Sequence, residues 1–189
     1  MWLISWLFPV MWLAYIVYWR MMADDVKGDE RREQGGSRLL RLLLMIVVLV
    51  LLGVQRIQLG VLDRRFLADS MRWYWIGAVV TACGLLFSIC GRHALGRNWS
   101  RAVTIKQDHE LITRGPYKLV RHPIYTGLLT ALLGSALALG EWRGLVAVAL
   151  AFVILLRKLR LEEQWMRTQF GEPYEQYSAR VRALVPYIF

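Results

Sequence analysis

Residues 114–127 read Arg-Gly-Pro-Tyr-Lys-Leu-Val-Arg-His-Pro-Ile-Tyr-Thr-Gly, and they separate a polar, basic connector from a long apolar run. Proline lacks a backbone donor and disfavours the helical region for the residue before it, so Pro116 and Pro123 each break a helix. A solvated loop needs neither two prolines nor this density of aromatic side chains. We therefore expect an irregular segment that fixes Arg121 and His122 at a definite depth.

The composition around this stretch is that of a membrane protein. Of the 189 residues 57% are hydrophobic, the mean hydropathy is +0.37, and nine residues are tryptophan. The apolar residues come in blocks instead of amphipathic periods. The net charge of +10 does not indicate nucleic acid, because no basic helix stands apart from an apolar run. Anionic lipid and the positive-inside rule account for the cations, so membrane lipid is the expected partner.

Apolar runs predict an all-α integral membrane protein with about five transmembrane helices. The runs are Met1–Trp19, Leu39–Leu59, Trp73–Cys90, Ile124–Gly140 and Trp142–Leu156. The last two are short and separated by little more than Glu141, so together they predict a helical hairpin. Whether they fully cross the bilayer stays open, since a run this short also suits a buried or re-entrant segment. We expect the first run to be a retained span, because Arg20 follows it where a signal peptide would have small residues.

The distribution of cations predicts an orientation. Nineteen of the 24 Lys and Arg residues fall on segments that would share one side of the membrane, and five fall on the other. The positive-inside rule then places the N-terminus outside and residues 114–127 and the C-terminus in the cytoplasm. The expected location is the inner or plasma membrane of a prokaryote.

The tail beyond Leu156 adds a second polar pattern. A continuing helix would carry an apolar stripe of Leu155, Leu159, Met166 and Phe170. Glu162 and Glu163 fall near the centre of that stripe, and inward-facing carboxylates need cationic or hydrogen-bonding partners. Gly171 and Pro173 should end this helix. A last amphipathic helix, Glu172–Val185, is expected after it, with Tyr174 and Tyr177 as packing residues.

The cysteines and histidines give no metal signal. Cys83 and Cys90 fit no ligand spacing and are expected to be unpaired, small apolar core residues. The three histidines are widely separated in the sequence, which argues against a structural metal site. No metal is therefore predicted.

A mixed set of polar side chains should meet at the cytoplasmic interface. It comprises Tyr117, Arg121, His122 and Tyr125 from the motif, Asn98, Lys106 and His109 from the connector, and Lys158, Glu162 and Glu163 from the helix extension. Cations can hold a carboxylate, a glutamate can hold an ammonium, and a tyrosine face can stabilise a cation. S-adenosylmethionine carries a carboxylate, an ammonium and a sulfonium cation, together with an adenine ring. The alternative is that the glutamates pair with neighbouring cations as surface charges.

At this point a family resemblance is visible. Gly-Pro-Tyr-Lys-Leu-Val-Arg-His-Pro-Ile-Tyr-Thr-Gly resembles the signature of the isoprenylcysteine carboxyl methyltransferases and the related phospholipid methyltransferases. Leu95–Ser100 upstream, and Glu162-Glu163, Phe170-Gly171 and the tyrosines downstream, are also similar to the family. The resemblance runs from about Leu95 to the C-terminus. It implies a single membrane domain, with residues 1–94 as a three-span scaffold and 95–189 as the catalytic region.

The resemblance further implies a pocket for S-adenosylmethionine on the cytoplasmic side and a prenylated or other lipophilic acceptor. The implied cofactor-binding residues are His109, Leu111, Gly115, Tyr117, Arg121, His122, Pro123, Tyr125, Glu162 and Glu163. The predicted catalytic residues are Lys158, Arg157, Glu163 and Asn98, with Arg157 or Lys158 orienting an acceptor carboxylate and Arg160 as a further candidate.

Other functions and acceptors stay open from the sequence. The acceptor could be a prenylcysteine carboxylate, a phospholipid amine, a quinone precursor or a small hydrophobic thiol. An NADPH-dependent membrane reductase of the sterol-reductase type is one rival, and it would need no Gly-rich fingerprint. A transporter or scaffold is another, but the predicted spans carry almost no charge at their centres. The sequence does not indicate an oligomeric state.

Overall fold

The computed structural model describes residues 6–22, 35–53, 59–96 and 111–186, with the backbone alone for 35–41. Six α-helices lie within these residues: α1 (Leu7–Met21), α2 (Gly35–Gly53), α3 (Met71–Leu95), α4 (Pro123–Leu139), α5 (Trp142–Phe170) and α6 (Glu172–Arg180). Two short 3-10 helices span Gly60–Asp63 and Gly115–Lys118. The predicted all-α fold is confirmed for the described part of the chain.

Local chemistry sets the helix bounds near the end of the chain. Pro123 begins α4, where its missing N–H costs no intrahelical hydrogen bond. Gly140 ends α4 in the left-handed conformation, with φ +69°. Gly171, at φ +55°, ends α5 after Phe170, as the sequence predicted. The short α4–α5 connection makes the two helices the predicted hairpin.

One described helix, Met71–Leu95, is long and apolar enough to cross a membrane on its own. Three shorter apolar helices accompany it, namely Leu7–Met21, the part of α2 from Leu42 to Gly53, and Pro123–Leu139. Large apolar side chains are exposed on the outer faces of these helices, among them Leu13, Leu42 and Leu86. Many exposed large apolar side chains of this kind suit contact with lipid.

Helices α3 and α4 pack along a seam of glycines. A Cβ on Gly84 would lie 2.5 Å from the Ala131 nitrogen and 2.6 Å from the Gly127 oxygen. Gly134 meets the backbone of α3 in the same way. Small residues let two backbones approach closely where a bilayer provides no hydrophobic drive between helices. The seam therefore fixes α4 rigidly against α3.

Polar side chains add hydrogen bonds between the helices. The hydroxyls of Tyr15 in α1 and Ser88 in α3 lie 2.7 Å apart. Trp12 Nε1 donates to Ser135 Oγ of α4 at 3.1 Å, and Thr81 Oγ1 donates to the Ala131 carbonyl at 3.1 Å. The first two bonds attach α1 to the α3–α4 pair, and the third joins α3 to α4.

Helix α4 is the central element of the fold. Leu132 of α4 packs with Val48 of α2 and with Ala147, Ala151 and Ile154 of α5. Ala131 of α4 packs on its other side with Tyr15 and Leu85. Helix α4 is thus packed against four neighbouring helices, and its first turn belongs to the polar motif.

A buried ion-pair cluster lies at the α4–α5 connection, at the other end of α4 from the polar motif. Arg143 is 3% exposed, and its Nε donates to Glu141 Oε2 at 2.6 Å and lies 3.9 Å from Asp63 Oδ1. The Leu59 N–H donates to Asp63 Oδ2 at 2.5 Å. Because a buried charge must be compensated, this cluster joins the 3-10 helix to the start of α5.

The cysteine prediction was wrong in one respect. Cys83 and Cys90 are free thiols, as expected, but both are exposed and do not belong to the core. The inner side of α3 is taken by the small residues of the seam, such as Gly84 and Ser88. The cysteines consequently lie on the outer surface of the helix.

Candidate active site

Residues 114–127 fold into a 3-10 turn, an extended piece and the first turn of α4. Gly115 has φ +62°, a value that glycine adopts without the steric cost of a side chain, and Pro116 follows it in the turn. Val120 then forms an isolated parallel bridge with Arg182 of the C-terminal segment. Each proline lies in the first turn of a helical piece, and residues 119–122 between the two pieces are irregular apart from the Val120 bridge, as the sequence predicted.

Glu163 of α5 accepts three hydrogen bonds on one carboxylate oxygen. Arg121 donates to Glu163 Oε1 from Nη2 at 2.6 Å and from Nε at 2.8 Å. His122 Nε2 lies 3.2 Å from the same oxygen. The side chains of Arg121 and Glu163 are only 11% and 14% exposed, so the pair is largely shielded from water. Among the described residues no hydrogen bond reaches Glu163 Oε2.

The rest of the Arg121 guanidinium holds the C-terminal tail. Its Nη1 donates to the Ser178 carbonyl at 3.1 Å and also to the Val181 carbonyl. One side chain thereby connects α5, the end of α6 and the segment that follows. Most of the donors that the sequence assigned to a ligand carboxylate are engaged within the protein.

Glu162 lies beside this pair with partners of its own. The Tyr125 hydroxyl donates to Glu162 Oε1 at 2.5 Å, and Lys158 Nζ lies 3.6 Å from the same atom. His122 Nδ1 is 3.6 Å from Glu162 Oε2. His122 thus stands between two adjacent carboxylates.

Aromatic faces complete the arrangement. The rings of His122 and Tyr125 are stacked, with centroids 5.4 Å apart and an interplanar angle of 3°. Lys158 Nζ lies 5.2 Å from the centroid of the Tyr125 ring, within reach of a cation–π interaction. Tyr125 is consequently held by a carboxylate, a cation and an imidazole.

The tail does not form the predicted helix to Val185. Helix α6 ends at Arg180, and the chain then runs beside the motif. Arg121 N donates to the Arg182 carbonyl at 2.8 Å and His122 N to the Ala183 carbonyl at 3.0 Å. Pairing with the motif gives these carbonyls hydrogen-bond donors, so the segment does not need to be helical. The amphipathic pattern of the sequence continues past Arg180. The helix nevertheless ends there, because the next residues pair with a segment about 60 residues earlier in the chain.

Two tyrosines of α6 cover the motif from outside. The Tyr177 hydroxyl donates to the Tyr117 carbonyl at 2.7 Å, and the Tyr174 and Tyr177 rings meet edge to face at 6.1 Å. Tyr174 is 3% exposed and Tyr117 is 7% exposed. The packing role predicted for Tyr174 and Tyr177 agrees with this geometry, which also makes them part of the wall around the motif.

The titration behaviour follows from these contacts. Burial alone would raise the pKa of the Glu163 carboxyl, but hydrogen bonds and charge from His122 and Arg121 outweigh it and lower that pKa to about 2. Burial raises the pKa of Tyr177 to about 12, and it raises the pKa values of Tyr117 and Tyr174 further. Glu163 is therefore an anion and the tyrosines are neutral hydrogen-bond donors at neutral pH.

The structure brings together six of the predicted site residues, which we call the charge cluster: Arg121, His122, Tyr125, Lys158, Glu162 and Glu163. Tyr117 and Gly115 lie in the adjoining 3-10 turn, and Pro123 is fully buried at the start of α4. Leu111 is half-buried at the beginning of the described segment, and Arg157 is exposed. Asn98 and His109, with Lys106, lie outside the described residues.

The sequence interpretation missed Arg92 as a structural cation. Arg92 is 3% exposed near the end of α3, where its Nη2 donates to the Met22 carbonyl at 2.9 Å and its Nη1 to the Gly96 carbonyl at 2.6 Å. It binds the carboxyl ends of two helices, where a cation is favoured. Its position within the last turn of an apolar helix was the available signal.

The charge cluster presents both signs of charge in a partly dehydrated site. Carboxylates can receive an ammonium, and His122 and the remaining guanidinium donor can approach a carboxylate. Groups of this kind have the chemistry that binding of a small zwitterion requires.

Comparison with known proteins identifies the family and several relatives of this chain. The sequence model of the phospholipid methyltransferase family matches residues 73–173, more than half of the chain, and that range includes the whole charge cluster. A rice (Oryza sativa subsp. indica) protein named probable protein-S-isoprenylcysteine O-methyltransferase is 29% identical over 134 residues, which are 67% of this chain and 70% of the relative.

Two further relatives are a protein-S-isoprenylcysteine O-methyltransferase and a resistance protein. The first, from Schizosaccharomyces pombe, is 33% identical over 96 residues, 49% of this chain and 41% of the relative. The cobalt-zinc-cadmium resistance protein CzcN of Cupriavidus metallidurans is 29% identical over 140 residues, 71% of this chain and 63% of the relative.

These matches confirm the resemblance that the motifs indicated, and they favour a methyltransferase over a reductase or a transporter. Since the family match covers more than half of the chain and includes the residues that form the charge cluster, the chain belongs to the phospholipid methyltransferase family and is a methyltransferase related to the isoprenylcysteine enzymes.

Proposed function

We propose that this protein uses S-adenosylmethionine to methylate a lipophilic acceptor at the membrane surface, with an isoprenylcysteine-type carboxylate as the favoured acceptor. The names of the relatives in rice and fission yeast support the acceptor. The proposed enzyme is a single membrane domain, and its cofactor site is formed by the members of the charge cluster other than Lys158.

The observation that carries the proposal is the uncommitted oxygen of Glu163. Arg121 and His122 both contact Oε1 and hold the Glu163 carboxylate in place. No hydrogen bond from the described residues reaches Oε2. An amino-acid ammonium needs such an acceptor, and the low pKa of Glu163 keeps it ionised. The charge cluster thus fits the amino-acid part of S-adenosylmethionine, and Tyr125 presents an aromatic face beside it.

The chain's own residues would bind and orient the reactants. When bound, the cofactor supplies a methyl group on a sulfonium, which is electrophilic without further activation. A carboxylate acceptor is already ionised, so the protein needs no general base, and positioning and exclusion of water become its main contributions. A phospholipid amine would have to lose a proton, and the carboxylates of the charge cluster are already paired with cations.

Lys158 is the cation that we assign to the acceptor carboxylate. Of the three candidates at this point of α5, Arg157 and Arg160 are exposed, whereas Lys158 lies half-buried against Glu162 and the Tyr125 ring. It is therefore the cation on the side of the charge cluster. Its remaining donors can meet a second carboxylate.

The cofactor proposal is tested by calorimetric titration of S-adenosylhomocysteine into the purified protein in detergent. We expect binding by the wild type and a loss of about tenfold or more in Glu163→Gln and Glu162→Gln, since each removes a charged acceptor. Glu172→Gln is the matched control, because Glu172 is an exposed carboxylate on α6 outside the charge cluster. Equal binding by folded Glu163→Gln, Glu162→Gln and wild type would refute the cofactor site.

The acceptor proposal is tested in the same preparation by methyl transfer to an N-acylated S-farnesylcysteine. Lys158→Met should raise the KM for this acceptor with little change in S-adenosylhomocysteine affinity, and Arg167→Met, on the exposed part of α5, is the control. A larger rise in KM for Arg157→Met than for Lys158→Met would contradict the assignment of Lys158.

A further inference from the structure

A groove of about 230 Å³ lies between the 3-10 turn and the C-terminal segment. Its polar lining includes Lys118, Arg180 and Arg182, and Leu119 and Pro186 contribute apolar surface. We call this the basic groove. It shares no lining residue with the charge cluster, so it is a separate feature of the same end of the molecule.

The part of the chain that the structure describes gives the basic groove cations but no counter-charge. None of these described residues places a carboxylate in its lining, and Lys118, Arg180 and Arg182 form no ion pair with a described carboxylate. By contrast, the exposed Arg167 of α5 lies 3.7 Å from a carboxylate oxygen of Glu175. Three like charges around one small groove repel one another, and a bound anion would remove that repulsion.

The backbone of the basic groove is fixed. Val120 and Arg182 form a parallel bridge, and Arg121 N donates to the Arg182 carbonyl. The Arg121 side chain also donates a hydrogen bond to the Val181 carbonyl. The cations therefore project from two paired segments that do not have to rearrange to receive a ligand.

Exposed apolar side chains flank the cations. Leu119 is 53% exposed and Val185 is 45% exposed, although both belong to otherwise packed segments. Leu119 precedes by four residues the point where the apolar helix α4 begins. The basic groove thus lies at the end of the apolar helices, the depth at which the headgroups of a bilayer meet its acyl chains.

We propose that the basic groove binds the phosphate of an anionic phospholipid, with Leu119 and Val185 against the acyl chains. Cations and apolar groups side by side match the two parts of such a lipid, whereas free phosphate would use the cations alone. The lipid is held and not methylated, since the basic groove contains none of the charge cluster. Because Val181 lines the basic groove and its carbonyl binds Arg121, occupancy stabilises the tail that runs beside the charge cluster.

The proposal is tested by titrating the purified full chain in detergent with dioctanoyl phosphatidylglycerol, dioctanoyl phosphatidylcholine and inorganic phosphate. We expect phosphatidylglycerol to bind more tightly than either other probe. Arg180→Gln/Arg182→Gln should weaken it about tenfold or more, because each cation near a membrane surface contributes to anionic-lipid binding. Arg64→Gln/Arg72→Gln is the matched control, with the same change of charge at exposed positions near the other end of the helices.

A third variant distinguishes binding of the whole lipid from binding of its phosphate alone. Leu119→Gln should weaken phosphatidylglycerol and leave inorganic phosphate unaffected, and its exposure makes misfolding an unsuitable explanation. The proposal is overturned by equal losses in the groove and control variants, by equal affinity for phosphatidylcholine, or by inorganic phosphate binding as tightly as phosphatidylglycerol.

Discussion

At the scale of single residues, Glu163 connects stability with pH. Its pKa in the folded protein is about 2, against an ordinary value of 4.5, because His122 and Arg121 favour the anion more than burial disfavours it. A depressed pKa of this kind stabilises the fold at every pH above the ordinary value. The contribution is lost as the pH falls from about 4.5 through about 2.

We therefore predict that Glu163→Gln lowers the free energy of unfolding by about 1–3 kcal/mol near neutral pH, because Arg121 loses its charged partner. Thermal unfolding of both proteins in detergent, from pH about 7 down to about 2.5, would show the difference shrinking only below pH about 4.5. Glu172→Gln, on the exposed face of α6, should change stability little at any pH. A difference that stayed constant down to the lowest pH would contradict the assigned cause.

Residue chemistry was predictable from the sequence, but the partners were not. The density of Arg, His, Tyr and Glu at one interface indicated a charged site, and the structure brings those side chains together. The carboxylate that Arg121 holds is that of Glu163, 42 residues away, and its Nη1 binds carbonyls 57 and 60 residues away. Contacts over such separations depend on the packing of α5 and α6, which local patterns do not encode.

At the scale of elements, the close packing of α3 and α4 predicts that Gly84→Ala lowers stability, whereas an alanine at a glycine outside the seam does not. Gly84→Ala gains about 1 kcal/mol of helix propensity. However, its Cβ would lie 2.5 Å from the backbone nitrogen of Ala131, so the two helices must move apart. Because the obstacle is backbone and not a flexible side chain, we expect a net loss of stability of about 1–3 kcal/mol.

Gly53→Ala is the matched control, since a Cβ there meets nothing within 4 Å and Gly53 lies in the last turn of α2. Its melting temperature in detergent should equal or exceed that of the wild type, while that of Gly84→Ala falls. If both variants melted at the temperature of the wild type, the close approach of α3 and α4 would be refuted.

The helices themselves were readily predicted, because apolar runs and Gly or Pro boundaries are local signals. The hairpin, the end of α5 at Phe170 and the approximate bounds of the described helices agree with the sequence. The C-terminal helix was overextended because the segment after Arg180 pairs with the motif, and an amphipathic pattern cannot report a partner 60 residues away. The seam glycines are seven residues apart in both α3 and α4, but spacing alone does not indicate which two helices pack together.

At the scale of the whole molecule, two buried arginines stand at opposite ends of the helices. Arg92 lies beside the motif, and Arg143 lies in the ion-pair cluster with Glu141. Both had been counted among the cations that predict orientation, yet each has a structural partner. Without them the bias is eighteen cations against four, so it continues to favour a cytoplasmic charge cluster.

We accordingly propose five spans, with the N-terminus outside and the active site in the cytoplasm, and this topology can be tested with single cysteines. In a Cys83→Ala/Cys90→Ala background, Asp69→Cys lies in the loop before α3 and Glu175→Cys lies on α6; both native side chains are exposed, at 88% and 49%. A membrane-impermeant maleimide added to intact cells should label Asp69→Cys at once and Glu175→Cys only after permeabilisation. The reverse order would invert the orientation, and labelling of both positions in intact cells would mean that an even number of spans separates them. The charge cluster lies on the same side as Glu175, since Arg121 binds the carbonyls that end α6, so this one experiment also assigns the compartment from which the enzyme takes its methyl donor.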